Sequence, residues 1–238
     1  MLNGHRKGVG GEGGGVADVI VARHGSTEFN QGGVGKDRLR GQMNLLLDDD
    51  GTKQAHDLRD KLASERITYV ISSDLRRALD TAQVVAFPHG EPVFGDASLR
   101  SWGMGDLEGK RVDPDTIAQI EHYVRNEHEA PPNGESFCQF KGRLVRGINY
   151  ILRDVYLGDT IVVVTHARCL QLFELWLAAG RDLTTLNEKY VDAMSGEPDT
   201  VEPGGYIRLR STAREPNRGA WSIVERWKES SQVTHPGS

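Results

Sequence analysis

Two short runs of apolar, mostly β-branched residues each end abruptly in a histidine. The first run covers residues 18–23 and is followed by His24 and Gly25, and the second covers residues 160–165 and is followed by His166. A short apolar run bounded by turn-forming residues predicts a buried strand. Open α/β sheets bind their ligands just beyond the carboxyl ends of their parallel strands. The two histidines therefore occupy the positions where such a sheet would place a functional site.

Strand-like and helix-like segments alternate along the chain. Further strands are predicted at residues 69–72, 205–209 and 221–227, with a short apolar piece at 93–94. Helices are predicted after the acidic run at 48–50 and after the Ser-Asp pair at 73–74, and also over residues 113–129, 136–155 and 169–179. Such alternation indicates an α/β protein with a mostly parallel sheet that is covered by helices on both faces.

A single domain is expected over residues 18–227, because no linker interrupts this stretch. Residues 1–17 are rich in glycine and are predicted to form a flexible leader, since they cannot bury enough apolar surface to offset their backbone entropy. A nucleotide-binding glycine loop is the alternative for this segment, but no strand precedes the glycines. The polar tail at residues 228–238 is predicted to fray.

The charge balance limits the partners that this protein can have. A net charge of -5 and a pI of about 5.9 argue against binding to nucleic acids or anionic membranes, which usually requires a basic surface. No apolar run approaches the ~18 residues of a membrane span, and the amino terminus lacks an apolar signal segment. Cys138 and Cys169 are isolated thiols that form neither a zinc pattern nor a disulfide framework. These features predict a cytoplasmic protein without a nucleic-acid or membrane partner.

Cationic side chains follow three of the predicted strands. Arg23 and His24 end the first strand, Arg77 lies at the start of the helix after the second, and His166 ends the strand at 160–165. Because the carboxyl ends of parallel strands share one edge of a sheet, we expect these groups to converge. With the backbone N–H groups at the helix start, they would form a pocket for a dianionic phosphoryl group.

These side chains predict phosphoryl transfer through a covalent intermediate. A deprotonated His24 would attack phosphorus in line, since a neutral imidazole is nucleophilic. Arg23, Arg77 and a protonated His166 would stabilise the charge on the non-bridging oxygens. Water would then hydrolyse the phosphohistidine. The cations are supplied by side chains, so no metal ion and no other cofactor is predicted.

Several of these residues also have a structural interpretation. Arg76 lies beside Arg77, and one of the two is expected to be a solvated helix residue. His166 taken alone is more often a hydrogen-bonded structural histidine. The three aspartates at 48–50 are predicted to begin a helix rather than to bind a metal ion, because no partner ligands follow at metal-like spacing.

Four blocks of this sequence resemble motifs of the histidine phosphatase superfamily, which includes cofactor-dependent phosphoglycerate mutases and many phosphatases. Residues 23–30, RHGSTEFN, are similar to the opening R-H-G-x-T-x-x-N signature. Residues 72–82, SSDLRRALDTA, are similar to the S-S-x-L-x-R-A-x-x-T-A block. Residues 134–136, GES, and 162–166, VVVTH, resemble the G-E-S and V-x-H elements. The resemblance covers about residues 18–210, and the first two motifs are highly specific.

The resemblance implies a fold and a set of roles. The fold would be a three-layer α/β/α sandwich. His24 would be the phosphorylated nucleophile, and the alignment selects Arg77 over its neighbour as the phosphate-binding arginine. Asn30 would line the pocket, and Thr27 of the same motif is assigned with it to substrate binding.

The sequence departs from the family pattern at the general acid. Family members with a Leu-Arg-Glu pattern use the glutamate to protonate the leaving group, but residues 99–101 read Leu-Arg-Ser here. The pKa of a serine hydroxyl is far too high for this role. Asp106, Glu108 and Glu135 are the alternative proton donors. If none of them serves, the protein cleaves only good leaving groups or is a phosphate-binding pseudoenzyme.

A second departure follows the last histidine. Ala167 and Arg168 stand where the family usually has glycines. Arg168 would either contact a charged substrate or lie at the surface.

The leading prediction is a metal-independent phosphomonoester phosphatase that acts on a small phosphorylated metabolite. A phosphoglycerate mutase is the first alternative, but residues 110–132 are short and mostly acidic, whereas mutases carry a longer basic insertion there. A non-catalytic binder of phosphorylated ligands is the second alternative, although such a binder would not need His24. Substrate specificity would come from residues 31–40 and 113–129. The late strands leave room for an edge-to-edge homodimer.

Overall fold

Six strands and six helices make up the part of the chain that the structure describes. The computed structural model describes residues 15–30, 37–195, 201–213 and 221–227. The strands are β1 (Ala17–Arg23), β2 (Tyr69–Ser72), β3 (Val93–Gly95), β4 (Thr160–Thr165), β5 (Tyr206–Ser211) and β6 (Ser222–Trp227). The helices are α1 (Asp49–Leu62), α2 (Arg76–Ala86), α3 (Pro114–Arg125), α4 (Phe137–Arg153), α5 (Ala167–Ala178) and α6 (Leu186–Ser195). Short 3-10 helices cover Phe87–His89, Ala97–Leu99 and Gly105–Leu107.

The strands form one sheet in the order β3-β2-β4-β1-β5-β6. The first four strands in the chain run parallel, whereas β5 and β6 add two antiparallel pairings at one side. The register aligns Arg23 of β1 with Thr165 of β4, and Ser72 of β2 with Val164 of β4. The residues that follow these three strands therefore leave the sheet side by side, at its carboxyl edge.

Helices cover both faces of the sheet, and strand residues alternate between them. Ile20 and Val162 face the smaller core that α1 and α2 complete. Val19 and Val163 face the larger core that α4, α5 and α6 complete. This alternation follows from the two-residue period of a strand, and both faces are apolar because both are covered. The predicted three-layer α/β/α sandwich with a mostly parallel sheet is confirmed.

The helix after β2 begins later than predicted. The predicted cap at Ser73 and Asp74 is wrong, because both side chains have other partners. Oγ of Ser73 lies 2.8 Å from Nε2 of His166. The carboxylate of Asp74 accepts two hydrogen bonds from Arg100, each 2.6 Å long. Helix α2 therefore begins at Arg76 without a side-chain cap.

The region around α5 also differs from the prediction. Helix α5 begins at Ala167, directly after His166 and two residues earlier than predicted. Helix α6 was not predicted at all. Its buried residues Leu186 and Tyr190 join the larger core, so tertiary packing stabilises a segment whose apolar spacing is weak.

Several predicted segments lie outside the described residues. These are most of the glycine-rich leader, at 1–14, part of the specificity loop, at 31–36, and the polar tail, at 228–238. Ala17, predicted as the last residue of the leader, is buried and begins β1. Within the described ranges, none of the helices combines the length and the apolar character needed to cross a membrane.

A network of buried ion pairs links β1, β5 and β6. It lies toward the amino end of β1, whereas the two histidines follow the carboxyl ends of β1 and β4. Arg208 donates hydrogen bonds to Asp18 at 3.1 Å, to Glu65 at 2.6 Å and to Glu225 at 2.9 Å. Arg210 donates two more to Asp18, each 2.7 Å long. Burial raises the pKa of Asp18, but the hydrogen bonds from Arg210 and Arg208 outweigh it and lower this pKa below its usual value. Asp18 is therefore ionised in the folded protein. Its ion pairs stabilise the fold at pH values above the ordinary titration range of aspartate.

Replacing Arg208 with methionine is expected to lower the free energy of unfolding by about 3 kcal/mol, because three carboxylates lose their shared partner in a buried site. The matched control is Arg226→Met, which breaks a single ion pair with Glu174 at the surface. That control should cost about 0.5 kcal/mol. Denaturant unfolding at neutral pH measures both changes. Equal losses in the two variants would contradict the importance of the buried network.

Candidate active site

The structure brings four predicted side chains together at the carboxyl edge of the sheet. Nε of Arg77 donates a hydrogen bond of 3.1 Å to Nε2 of His24. The ring centroids of His24 and His166 lie 5.0 Å apart. Arg23 ends β1 directly before His24, and all four side chains are buried. Of the two adjacent arginines, Arg77 is the buried one, and Arg76 is exposed.

Two hydrogen bonds set the orientation and the tautomer of His24. Nδ1 lies 2.5 Å from the carbonyl oxygen of Gly25, so we assign the proton to this nitrogen, which donates to the carbonyl. Nε2 then carries the lone pair that accepts the hydrogen bond from Arg77. A neutral imidazole attacks through its unprotonated nitrogen. Nε2 is therefore the ring nitrogen that carries a lone pair.

The surroundings keep His24 unprotonated. Burial and the positive charges of Arg77 and Arg23 lower the pKa of His24 well below its usual value, and they outweigh the opposing hydrogen bond to Gly25. The imidazole is thus in its nucleophilic form even below the ordinary titration range of histidine.

Arg77 is held in place by the loop before α1. Its Nη1 donates to the carbonyl oxygen of Met43 at 2.6 Å, and its Nη2 donates to that of Gly41 at 2.9 Å. Glu108 holds this loop in turn, because its Oε1 accepts the backbone N–H of Gln42 at 2.8 Å. Burial lowers the pKa of Arg77 to about 10, so the guanidinium remains charged at neutral pH.

Arg23 is tied to the segment that precedes β5. Its Nη1 donates to the carbonyl oxygen of Val201 at 3.0 Å, and its backbone N–H donates to Gly205 at 2.9 Å. Its Nε is buried and has no hydrogen-bond partner among the described residues. Burial, reinforced by the charge of Arg40, lowers the pKa of Arg23 to about 9. A buried cation with an unsatisfied donor is suited to bind an anion.

His166 completes the site from β4. Its Nε2 lies 2.8 Å from Oγ of Ser73, and its buried Nδ1 has no partner within the described part of the chain. His166 is predicted above to be protonated, but burial and the charge of Arg77 lower its pKa well below the usual value. It is therefore neutral in this structure. A bound phosphoryl dianion would favour its protonation.

The loop after β1 packs tightly against the start of α1. A Cβ atom at Gly25 would lie 2.2 Å from the carbonyl oxygen of Gly51, so the loop can take this path only with glycine there. Asp48 caps α1, as its Oδ1 accepts the N–H of Gly51 at 2.7 Å and the hydroxyl of Ser26. The predicted role of the aspartates at 48–50 as a helix start is confirmed. Within the described ranges, no group of three or more His, Cys, Asp and Glu side chains is arranged to hold a metal ion.

The two predicted substrate-binding residues bond to each other. Oδ1 of Asn30 accepts the backbone N–H of Thr27 at 3.0 Å and its hydroxyl at 3.2 Å. Thr27 is fully buried, whereas Asn30 is partly exposed. Thr27 therefore shapes the loop that carries His24, and Asn30 is the member of the pair with exposed surface.

The three candidate acids all have other partners. Glu135 is bound by Arg143, with its Oε1 2.5 Å from Nη2. Asp106 is exposed and accepts a hydrogen bond of 2.9 Å from Asn133. Glu108 holds the 41–43 loop, and its charge acts on Arg77. Of the three, Glu108 is the one whose charge acts on Arg77.

Two further cations act on the site, and the sequence had singled out only one of them, Arg168. Arg40 was predicted only as part of a polar loop, yet its charge lowers the pKa of Arg23, Arg77 and both histidines. Arg168, for which a substrate contact and a surface position were both open, is half-buried in the first turn of α5, and its charge reaches Arg23 and Arg40. The position of Arg168 just after His166 is the signal that singled it out in the sequence. Nothing in the local sequence marks Arg40, because its position depends on the path of a loop.

A family model described as the histidine phosphatase superfamily (branch 1) matches residues 19–195. Among curated proteins, the chain is 33% identical over 212 residues to phosphoglycerate mutase-like protein 4 from Arabidopsis thaliana, an alignment that covers 81% of this chain and 90% of that protein. It is 32% identical over 167 residues to a metal-independent phosphoserine phosphatase from the same plant, covering 67% of this chain and 68% of that protein.

Solved structures share the fold. A mycobacterial glucosyl-3-phosphoglycerate phosphatase superposes with a TM-score of 0.66, covering 88% of this chain and 97% of that chain. The sequence identity of that pair is 22%.

The neutral state of the two buried histidines predicts a loss of stability on acidification. Their pKa values are lower in the folded protein than in the unfolded chain, so the unfolded chain binds more protons below about pH 6.5. The free energy of unfolding should then fall by about 1.4 kcal/mol per pH unit for each histidine. Denaturant unfolding between about pH 6.5 and pH 5 measures this slope. The His24→Gln variant should lose about half of the slope, and an unchanged slope would contradict the prediction.

Proposed function

This chain belongs to the histidine phosphatase superfamily (branch 1), and we propose that it is a metal-independent phosphatase that hydrolyses small phosphate monoesters through a phosphohistidine on His24. The observation that carries this proposal is the hydrogen bond from Nε of Arg77 to Nε2 of His24. It places a cation beside the nucleophilic nitrogen, where the oxygens of a transferred phosphoryl group would lie. Similarity to a protein named metal-independent phosphoserine phosphatase supports hydrolysis without a metal ion.

In the first half-reaction, Nε2 of His24 attacks phosphorus while the bond between phosphorus and the ester oxygen breaks. The leaving group departs with the electron pair of that bond. The Nδ1 proton stays hydrogen-bonded to the carbonyl oxygen of Gly25, which stabilises the positive charge that develops on the ring. Arg77 and Arg23 stabilise the non-bridging oxygens of the transferring group.

In the second half-reaction, water attacks phosphorus and the bond from phosphorus to Nε2 breaks. The imidazole of His24 recovers its lone pair, and inorganic phosphate leaves. Burial and the charge of Arg77 lower the pKa of His166 in the absence of a ligand. The negative charge of the phosphoryl group raises this pKa, so a protonated His166 supplies a third cation in this complex.

Comparing the two adjacent arginines of α2 tests the role of Arg77. The Arg77→Ala variant should lose about 10²–10³-fold in kcat for nitrophenyl phosphate, since it removes a donor to the transition state. The Arg76→Ala variant is the matched control and should retain full activity, because Arg76 is exposed and pairs with Asp80 at the surface. Steady-state kinetics in the presence of EDTA measures both.

Two outcomes of the same assay would contradict the proposal. One is activity that EDTA removes, and the other is activity that persists in a folded His24→Ala variant. Trapping of a phosphorylated protein after a rapid quench gives an independent readout, which should be positive for the wild-type protein and absent in His24→Ala.

The arrangement of the acidic groups favours esters with good leaving groups. Ser101 occupies the position of the family acid, and its hydroxyl cannot act as a carboxylic acid does. Glu135 is engaged by Arg143, and Asp106 lies at the surface. Glu108 is assigned a positioning role, because it holds the loop whose carbonyl groups hold Arg77.

Hydrolysis should therefore depend steeply on the leaving group. Nitrophenyl phosphate is expected to react about 10²–10⁴-fold faster than an alkyl phosphate, which is the usual contribution of a general acid. The Glu108→Gln variant keeps an oxygen that can accept the N–H of Gln42, so it should leave this ratio unchanged. A selective loss of alkyl phosphate hydrolysis in Glu108→Gln would instead identify Glu108 as the acid.

A mutase is the second candidate, because the chain is similar to a protein named phosphoglycerate mutase-like. A mutase returns the phosphoryl group from His24 to a second hydroxyl instead of to water. Following a phosphoglycerate by phosphorus NMR distinguishes the two: isomer formation faster than phosphate release would favour the mutase.

A further inference from the structure

The loop that holds Arg77 is attached to the start of α2 at three points. The carbonyl oxygens of Gly41 and Met43 accept hydrogen bonds from the Arg77 guanidinium, at 2.9 Å and 2.6 Å. Oδ1 of Asn44 accepts the backbone N–H of Arg76 at 2.9 Å, a partner that the residue before the helix does not provide. The position of the guanidinium therefore depends on where this loop lies.

Gln42 stands between the two carbonyl groups that hold Arg77, and it binds a different part of the protein. Its Nε2 donates to the carbonyl oxygen of Ser101 and to Oε1 of Glu135, at 3.2 Å in both cases. Its backbone N–H donates to Oε1 of Glu108 at 2.8 Å. Gln42 therefore joins the loop that holds Arg77 to the segment that carries Ser101.

The groups that accept from the Gln42 side chain are themselves fixed. Oε1 of Glu135 also accepts the backbone N–H of Gly103 at 2.9 Å, and Nη2 of Arg143 lies 2.5 Å from it. The same nitrogen of Arg143 donates to the carbonyl oxygen of Ser101 at 3.1 Å. A Cβ atom at Gly103 would lie 3.1 Å from Nε2 of Gln42, so the amide is closely packed on this side. Both acceptors of the amide are therefore held by one arginine of α4.

We propose that Gln42 is a positioning residue for Arg77. It acts through the loop whose carbonyl oxygens hold the guanidinium, because its amide fixes that loop to Ser101 and Glu135. The inference rests on the proposed function for the role of Arg77 as the residue that binds the phosphoryl group. It also gives Glu135 a role other than proton donation, since the carboxylate anchors the Gln42 amide.

A double-mutant cycle separates positioning of Arg77 from a direct role. Gln42→Met keeps the length of the side chain but removes its hydrogen bonds. It should lower kcat/KM for nitrophenyl phosphate about tenfold, the size expected for one hydrogen bond to a charged group. In the Arg77→Ala background the same substitution should change kcat/KM by less than about twofold, because the group that Gln42 positions is gone. Gln83→Met, at an exposed position of α2, is the matched control and should have no effect in either background.

The pH profile gives a readout that a change in overall stability would not move. Burial and nearby positive charges lower the pKa of His24, and the hydrogen bond to Gly25 opposes them. The groups that face this imidazole are the guanidinium groups of Arg77, Arg23 and Arg40 and the ring of His166. If Gln42→Met lets Arg77 move away, the pKa of His24 rises and the acid limb of kcat/KM moves to higher pH, as in Arg77→Ala. A limb that moves in Arg77→Ala but not in Gln42→Met would overturn the proposal.

Binding of inorganic phosphate, measured by calorimetry on the four proteins of the cycle, tests the inference without turnover. Gln42→Met should weaken binding about 3–10-fold when Arg77 is present and less than about twofold when it is not. Equal losses in both backgrounds, in kcat/KM and in affinity, would overturn the positioning role and leave hydrolysis standing. A wild-type protein that shows the expected coupling in binding but hydrolyses no ester would overturn the proposed hydrolysis and leave the positioning role standing. A protein that does neither would overturn both.

Discussion

The hydrogen bond between Arg77 and His24 is the interaction on which the rest of the site depends. Together with the bond from Nδ1 to the carbonyl oxygen of Gly25, it orients the imidazole, and it places a cation next to Nε2. The carbonyl groups of Gly41 and Met43 hold the guanidinium from the other side, and Glu108 holds their loop. Contacts with the 41–43 loop therefore position the guanidinium group that binds His24.

The two ends of β1 differ in how their buried charges are paired. At the amino end, Asp18 is paired with Arg208 and Arg210, and the network satisfies its members. At the carboxyl end, the charges of Glu202 and Asp37 only partly offset the effect of burial and of Arg40 on Arg23, and a buried nitrogen of Arg23 has no partner in the described part of the chain. The first arrangement stabilises the fold, and the second costs stability unless an anion binds.

The elements that the sequence predicted well are those whose own residues determine them. The central residues of β1 and β4 are apolar because both faces of their sheet are covered, and α4 carries its own capping box at Ser136. Helix α2 began later than predicted because two distant residues, His166 and Arg100, bind the side chains that would have capped it. Helix α6 was missed because its burial comes from neighbours that are remote in sequence.

The sequence by itself determined the chemistry that we propose for this protein. The candidate nucleophile His24, the candidate phosphate-binding residue Arg77 and a histidine after β4 follow from residue type and strand-end position, because parallel strands bring their carboxyl ends to one edge. Only the tertiary structure decided the protonation of the two histidines and the nearness of Arg40 to them. Both depend on burial and on charge summed over loops that are distant in sequence, and no local pattern records those quantities.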